Sequence, residues 1–364
     1  MTHFARRQVL KASAATMALG ATGIRSARAQ QQIRLTIGSS LPLAMAWTAP
    51  APTLFMQEVN RRLEAARSEH TIRWQDSWGG ALFKPAAGAQ AVGQGVVDIG
   101  FVWSNIEGSR FPLHQISLVT PYSTDNCVAI GETMMELHEK FDVMRSEWTQ
   151  HNITLLGATT VDTYHLYTKM PIRSLADLRG KRISAVGAIG LWIKETGAVH
   201  VNGNLGTWYT DVQTGVADGA IIMATGAAMI KIWEVAPFLT LLGMGAHNNG
   251  GPAINNDTLK RLPPDVASVI RSVGRDYTRR SAEAVMAKAT SDLQLARELS
   301  SKQSVPLTIT DFTGAEKQQL VASTPDLAGD WVKANEGKAP ARQIMKAYMD
   351  GLRARGAKPL RNWA

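Results

Sequence analysis

The chain has 364 residues, 45% of them hydrophobic and 19% charged, with a formal charge of +9. That length suits two ordinary domains, and that balance excludes a disordered or collagen-like chain. No basic stripe with interleaved aromatics occurs, so no nucleic-acid partner is expected. The single cysteine, Cys127, excludes an internal disulfide and sits in an apolar context as a packing residue.

The first segment to read is the N-terminus. Ala5-Arg6-Arg7-Gln8-Val9-Leu10-Lys11 resembles a twin-arginine export signal. A small-residue, weakly apolar stretch runs from Ala12 to Ile24, and Ala27-Arg28-Ala29 is an Ala-x-Ala cleavage site. Residues 1–29 therefore read as a signal peptide, with export to the periplasm and a mature start at Gln30. The competing reading is an amphipathic helix that stays attached. The order of paired Arg, apolar run and cleavage site favours the signal. Neither this stretch nor any other reaches the ~20 apolar residues of a membrane helix, so no stable insertion is expected. Arg6, Arg7, Lys11, Arg25 and Arg28 supply +5 with no acid among them, which leaves +4 for the rest.

Ile33 to Gly38 alternates apolar and polar residues, as a strand does. A helix should follow, with Leu54, Phe55, Val59 and Leu63 on one face. Thr71 to Trp74 is the next strand, Pro85 to Gly95 a small-residue helix, and Val96 to Val102 a buried strand. This order predicts a parallel sheet with covering helices. The pattern returns with a strand at Lys181–Val186, a helix at Trp208–Thr214 and a buried strand at Val216–Ile222. Gln94-Gly95-Val96-Val97-Asp98 and Thr214-Gly215-Val216-Ala217-Asp218 are a weak internal echo, each with a glycine where a helix hands over to a strand. The echo predicts two similar α/β lobes. From Pro263 to about 303, apolar residues keep helical spacing through Val266, Ile270, Val273 and Tyr277 to Ala296. This is either two helices kinked near Gly274 or one helix that crosses both lobes. Gln343 to Arg355 predicts a closing amphipathic helix.

Three stretches carry a resemblance to a known family. They are Gly80-Ala81-Leu82-Phe83 with Gly95 to Gly100, Ser174 to Ile183, and Tyr209 to Gly219. The chain resembles the substrate-binding proteins of TRAP transporters, of the DctP type, over nearly all of its mature length. The resemblance implies a two-lobed periplasmic binding protein fold with a long lobe-spanning helix at about 263–303. It implies closure on a small organic acid, delivery to a small and a large membrane subunit, and no cofactor. The expected lobes are 30–155 plus about 237–275, and 156–236 plus about 285–340, with 341–364 as C-terminal helix and tail. A monomer is expected.

Members of that family usually present an arginine to the ligand carboxylate on the strand after the Leu-x-Gly motif. Here that position is Ser184, and a second such position falls near Tyr164. Arg182 lies two residues earlier on the same strand face and is a substitute cation or a solvated charge. Lys84, Arg110 and Lys231 are further candidate cations, against a reading as surface charges. Ten tryptophans are present, and Trp47, Trp103 and Trp208 fall in segments that face the cleft in the family. They suit an aromatic ligand body or, alternatively, core packing. Ser104 and Asn105 follow a strand end, where open α/β sheets bind ligands. Asn204 lies on a loop expected near the cleft. His247, Asn248 and Asn249 form a polar loop near the hinge, as ligand donors or as a turn before Gly250.

No nucleophile elbow, His-Glu-x-x-His helix, cysteine pair or phosphate loop occurs, and the eight histidines lack metal-ligand spacing. A receptor without catalysis or bound metal is therefore expected ahead of an enzyme. A ligand sensor for a signalling partner would use the same closure.

Overall fold

The computed structural model describes residues 30–364, so the expected export signal lies outside the described residues. Among them, twelve strands form two sheets. They are β1 (Gln31–Ser39), β2 (His70–Ser77), β3 (Ile99–Val102), β4 (Ile153–Leu155), β5 (Thr159–Val161), β6 (Tyr164–Thr168), β7 (Arg182–Ala185), β8 (Val199–Asn202), β9 (Gly219–Met223), β10 (Phe238–Leu241), β11 (His247–Asn255) and β12 (Thr308–Asp311). The first sheet runs β2-β1-β3-β11-β4, with β5 also on β11, and the second runs β12-β10-β6-β9-β7-β8. The expected parallel order holds for β2-β1-β3 and for β9-β7-β8. The sheets are mixed because β11 and β6 enter antiparallel, returning the chain from the opposite lobe rather than through a helical crossover.

The internal echo has a shared bonding scheme. Gly95 and Gly215 both adopt positive φ, at 74° and 80°, and close their helices. The next residues, Val96 and Val216, are about half exposed, so the buried strands begin at Ile99 and Gly219, later than the apolar runs suggest. In between, Asp98 donates its backbone N–H to Thr36 O at 3.0 Å, and its carboxylate accepts the Thr36 N–H at 2.8 Å. Asp218 does the same with Arg182, at 2.7 and 2.8 Å. Each aspartate thus pins the start of one buried strand to the neighbouring parallel strand.

A single helix, Pro264–Ser300, packs on both lobes. Its 37 residues span ~55 Å at ~1.5 Å per residue. It does not break at Gly274. That glycine is required for close approach: a Cβ there would lie 2.6 Å from Leu156 Cβ and 2.7 Å from Leu156 O. A Cβ on Gly157 would meet Gly274 O at 2.0 Å, and one on Gly251 would meet Gly157 O at 1.9 Å. Three backbones therefore stack without side chains between them.

The crossings between lobes fall elsewhere than at 155 and 237. β5 still pairs with β11, so the outward crossing is Asp162-Thr163. β10 pairs with β6 and β12, which keeps 238–241 in the second sheet and moves the return to 242–246. The helix Leu327–Asn335, expected on the second lobe, leans on the first: Trp331 donates its indole N–H to Pro112 O at 2.8 Å. The two crossings are tied together by Gly245 N–H to Thr163 Oγ1 at 2.9 Å and Met244 N–H to Tyr164 O at 3.1 Å. Beside them the Asp162 carboxylate accepts the Thr225 hydroxyl at 2.6 Å and the Thr225 N–H at 3.2 Å. Burial pushes Asp162 up to about 6, and burial lowers His247 to about 3.

Gly274→Ala should destabilise the fold by ~1–3 kcal/mol through overpacking, read as a lower denaturant midpoint; an unchanged midpoint would refute the close-approach argument. The two hinge groups act on stability in opposite senses. Folded Asp162 holds its proton from its ordinary 3.8 up to about 6, so its contribution falls as pH rises through that window. His247 resists protonation until about 3, so its contribution falls as pH drops below its ordinary 6.5. Denaturation across pH should show Asp162→Asn gaining on the parent above pH ~6 by up to ~3 kcal/mol, less the Thr225 hydrogen bonds, and His247→Gln losing less at acid pH.

Candidate functional site

The carboxyl ends of the parallel strands converge on the hinge. β1 and β3 end at Ser39 and Val102, and Gly251 of antiparallel β11 lies opposite Val102, so His247 projects beyond the same edge. In the second sheet Tyr164 lies opposite Met223, the last residue of β9, and β7 ends beside it at Ala185. Tyr164 stacks on His247, with ring centroids 5.4 Å apart, and so joins the two edges. Ligands of open α/β sheets bind at such edges.

Several polar atoms in the segments at or following these strand ends are buried and have no protein partner. From the first lobe they are Trp47 Nε1, Ser104 Oγ, Asn105 Oδ1 and His247 Nδ1. From the second they are Ser184 Oγ and Trp208 Nε1. An unmade hydrogen bond to a buried group costs ~1–3 kcal/mol, so a cluster of them points to a ligand that supplies the missing partners. Local sequence explains how they meet. Ser184 and Trp208 approach across Gly203, where a Cβ would lie 2.1 Å from Ser184 Oγ and 3.0 Å from both Trp208 Cδ1 and Asp211 Oδ2. Ser104 and Asn105 open the turn after β3, whose Trp103 carbonyl accepts the N–H groups of Ile106 and Glu107.

Other expected residues are placed differently. Trp103 is fully buried and donates its indole N–H to Ser40 Oγ at 3.0 Å, so it backs the site without a free donor. Asn248 is committed to its own and the neighbouring strand: its side chain donates to Thr159 O of β5 at 2.9 Å and accepts the Gly250 N–H at 3.3 Å. Asn249 accepts the Thr159 hydroxyl at 2.8 Å. Asn204 is exposed and builds a turn, accepting the Gly206 N–H at 2.8 Å. Arg182 turns to Asp218, 3.0 Å away, at the amino end of β7. That ion pair draws the guanidinium off the ligand edge, and it is about half exposed there. Arg110 pairs with Glu107 at 3.3 Å, while Lys84 and Lys231 are exposed. Among the described residues no lysine or arginine is buried, whereas Asp162 is. Burial holds His247 neutral at ordinary pH.

Two groups at the hinge escape a reading of the sequence. Asp162 is a lone acid between two apolar strands, a pattern that also fits a surface turn. Trp192 donates its indole N–H to Leu118 O at 2.9 Å and meets Tyr164 edge-on at 5.8 Å, linking the lobes. Its local sequence carries no mark of that role. Cys127 is buried, its thiol pushed up to about 12 by desolvation, which removes it from nucleophilic chemistry. Among the described residues no three His, Cys, Asp or Glu gather as a metal site, and no helix is long and apolar enough to cross a membrane.

This architecture is shared with solved structures. A TRAP periplasmic solute binding protein from Desulfovibrio salexigens superposes with a TM-score of 0.76 at 19% identity, covering 88% of this chain and 95% of that one. One from Rhodoferax ferrireducens, in complex with copurified benzoate, gives 0.75 at 18% identity, covering 89% and 98%. DctP7 of Bordetella pertussis, an extracytoplasmic solute receptor binding pyroglutamic acid, gives 0.70 at 20% identity, covering 88% and 99%. No curated protein is significantly similar in sequence. The DctP model, bacterial extracellular solute-binding protein family 7, matches residues 53–328. With most of its length accounted for in this way, the chain belongs to bacterial extracellular solute-binding protein family 7.

Proposed function

We propose that this protein is the solute receptor of a TRAP-type secondary transporter. It captures a small organic acid between its lobes in the periplasm and hands it to a small and a large membrane subunit. The family supports a receptor rather than an enzyme. Relatives of the same fold that hold benzoate and pyroglutamic acid support the acid. The observation that carries the reading is that both lobes hold buried polar atoms without a protein partner at or near the carboxyl ends of their parallel strands. A solute that satisfies them favours the closed form over the open one by those extra bonds, which is what drives lobe closure. The twin-arginine segment supports export by that route.

The test is thermal stabilisation by a panel of small acids. An acid at ~100 times its Kd should add ~2.7 kcal/mol. Ser184→Ala separates a binding role from a packing role. It removes a buried hydroxyl with no partner, so the free protein should gain ~1 kcal/mol while affinity for the acid falls roughly tenfold. Loss of stability with unchanged affinity would place Ser184 in the core only.

A further inference from the structure

Taking the hinge cluster as the solute site, we infer that the site accepts an acid with one carboxylate, gripped by neutral N–H and O–H donors rather than by a cation, and rejects a second negative charge. The donors are balanced between the lobes. Of the six unpartnered atoms, the four that carry an N–H or O–H whatever the tautomer are Trp47 Nε1 and Ser104 Oγ from the first, and Trp208 Nε1 and Ser184 Oγ from the second. A carboxylate offers about four lone-pair sites, which matches four such donors. Closure brings the two pairs together on one group, so the bonds that hold the acid are the bonds that close the lobes.

The charges around the site set the limit at one. Among the described residues no lysine or arginine is buried. The candidate cations are engaged or in solvent: Arg182 on Asp218, Arg110 on Glu107, and Lys84 and Lys231 exposed. The acids are close instead. Asp211 Oδ2 lies 3.0 Å from the same Gly203 point as Trp208 Cδ1, and Asp162 is buried at the crossing beside Tyr164. Fixed dipoles stabilise a single buried anion well when they are already oriented. A second carboxylate would face these acids in a water-poor space with no counter-charge.

The experiment titrates the purified protein by calorimetry with three matched sets of probes. Benzoate, mandelate and pyroglutamate carry one carboxylate; phthalate and glutarate carry two; benzamide and mandelamide carry none. We expect at least one monocarboxylate to bind, each dicarboxylate to bind at least ~100-fold more weakly, and the matching amide ~10-fold more weakly. Trp208→Phe, which keeps an aromatic ring but removes one donor, should weaken the monocarboxylate ~10-fold at an unchanged fold by circular dichroism. A dicarboxylate that binds as tightly as the best monocarboxylate overturns the charge limit and leaves the receptor reading standing. An amide that binds as tightly as its acid overturns the anion grip. Binding of a monocarboxylate with full affinity in Trp208→Phe places the solute elsewhere. If no probe of any set binds, the reading of the hinge as a solute site falls, and this inference with it.

Discussion

The arrangement rests on how closely three backbones pass at the hinge. Gly274 of the long helix lies against Gly157, and Gly157 against Gly251 of β11, with gaps too small for a single methyl group. Helix and crossing strands are thereby held at one separation, and everything else is measured from it. β11 stays in register with β3, which puts His247 beyond the carboxyl ends of β1 and β3. The Asp162-Thr163 crossing follows five residues after Gly157, which puts Tyr164 over His247. A side chain at any of these positions would part the long helix, the Leu156-Gly157 backbone and β11 from one another.

Within each lobe the governing device is the aspartate that ends the echo motif. Its carboxylate and its N–H bind the same residue of the adjacent strand, Thr36 in one lobe and Arg182 in the other. The bonds set strand register at the amino end, and the carboxyl end is then free to carry loops of differing sequence. One lobe presents Trp47 and Ser104 there, and the other presents Ser184 and Trp208. In the second lobe the same aspartate also draws in the Arg182 guanidinium. Arg182, two residues before Ser184, is thus committed to architecture.

Periodicity made the lobes and the long helix legible, since both rest on apolar spacing that depends only on neighbours in sequence. The glycine-to-aspartate echo was legible for the same reason. The mixed sheets were not, because strand direction in β6 and β11 depends on partners far away in the chain. Gly274 reads locally as a helix weakener; its use appears only when Leu156 and Gly157 are seen beside it. Among candidate residues, Ser184, Trp208 and Trp47 follow from the family resemblance and Ser104 and Asn105 from a strand end, and each holds a buried polar atom without a protein partner. Arg182, Asn204 and Asn248 are candidates by position and polarity, and their polar groups find nearer partners in Asp218, Gly206 and Thr159. Asp162 and Trp192 carry no local signature, as their roles are defined only by the second lobe.

The lone thiol of Cys127 has a consequence for the life of the chain. It is buried against the Val161 carbonyl, and its desolvation holds it in the unreactive thiol form. No covalent bond therefore waits on an oxidant, and the native contacts are the same in a reducing and an oxidising compartment. Stabilisation of the fold therefore needs no change of redox environment.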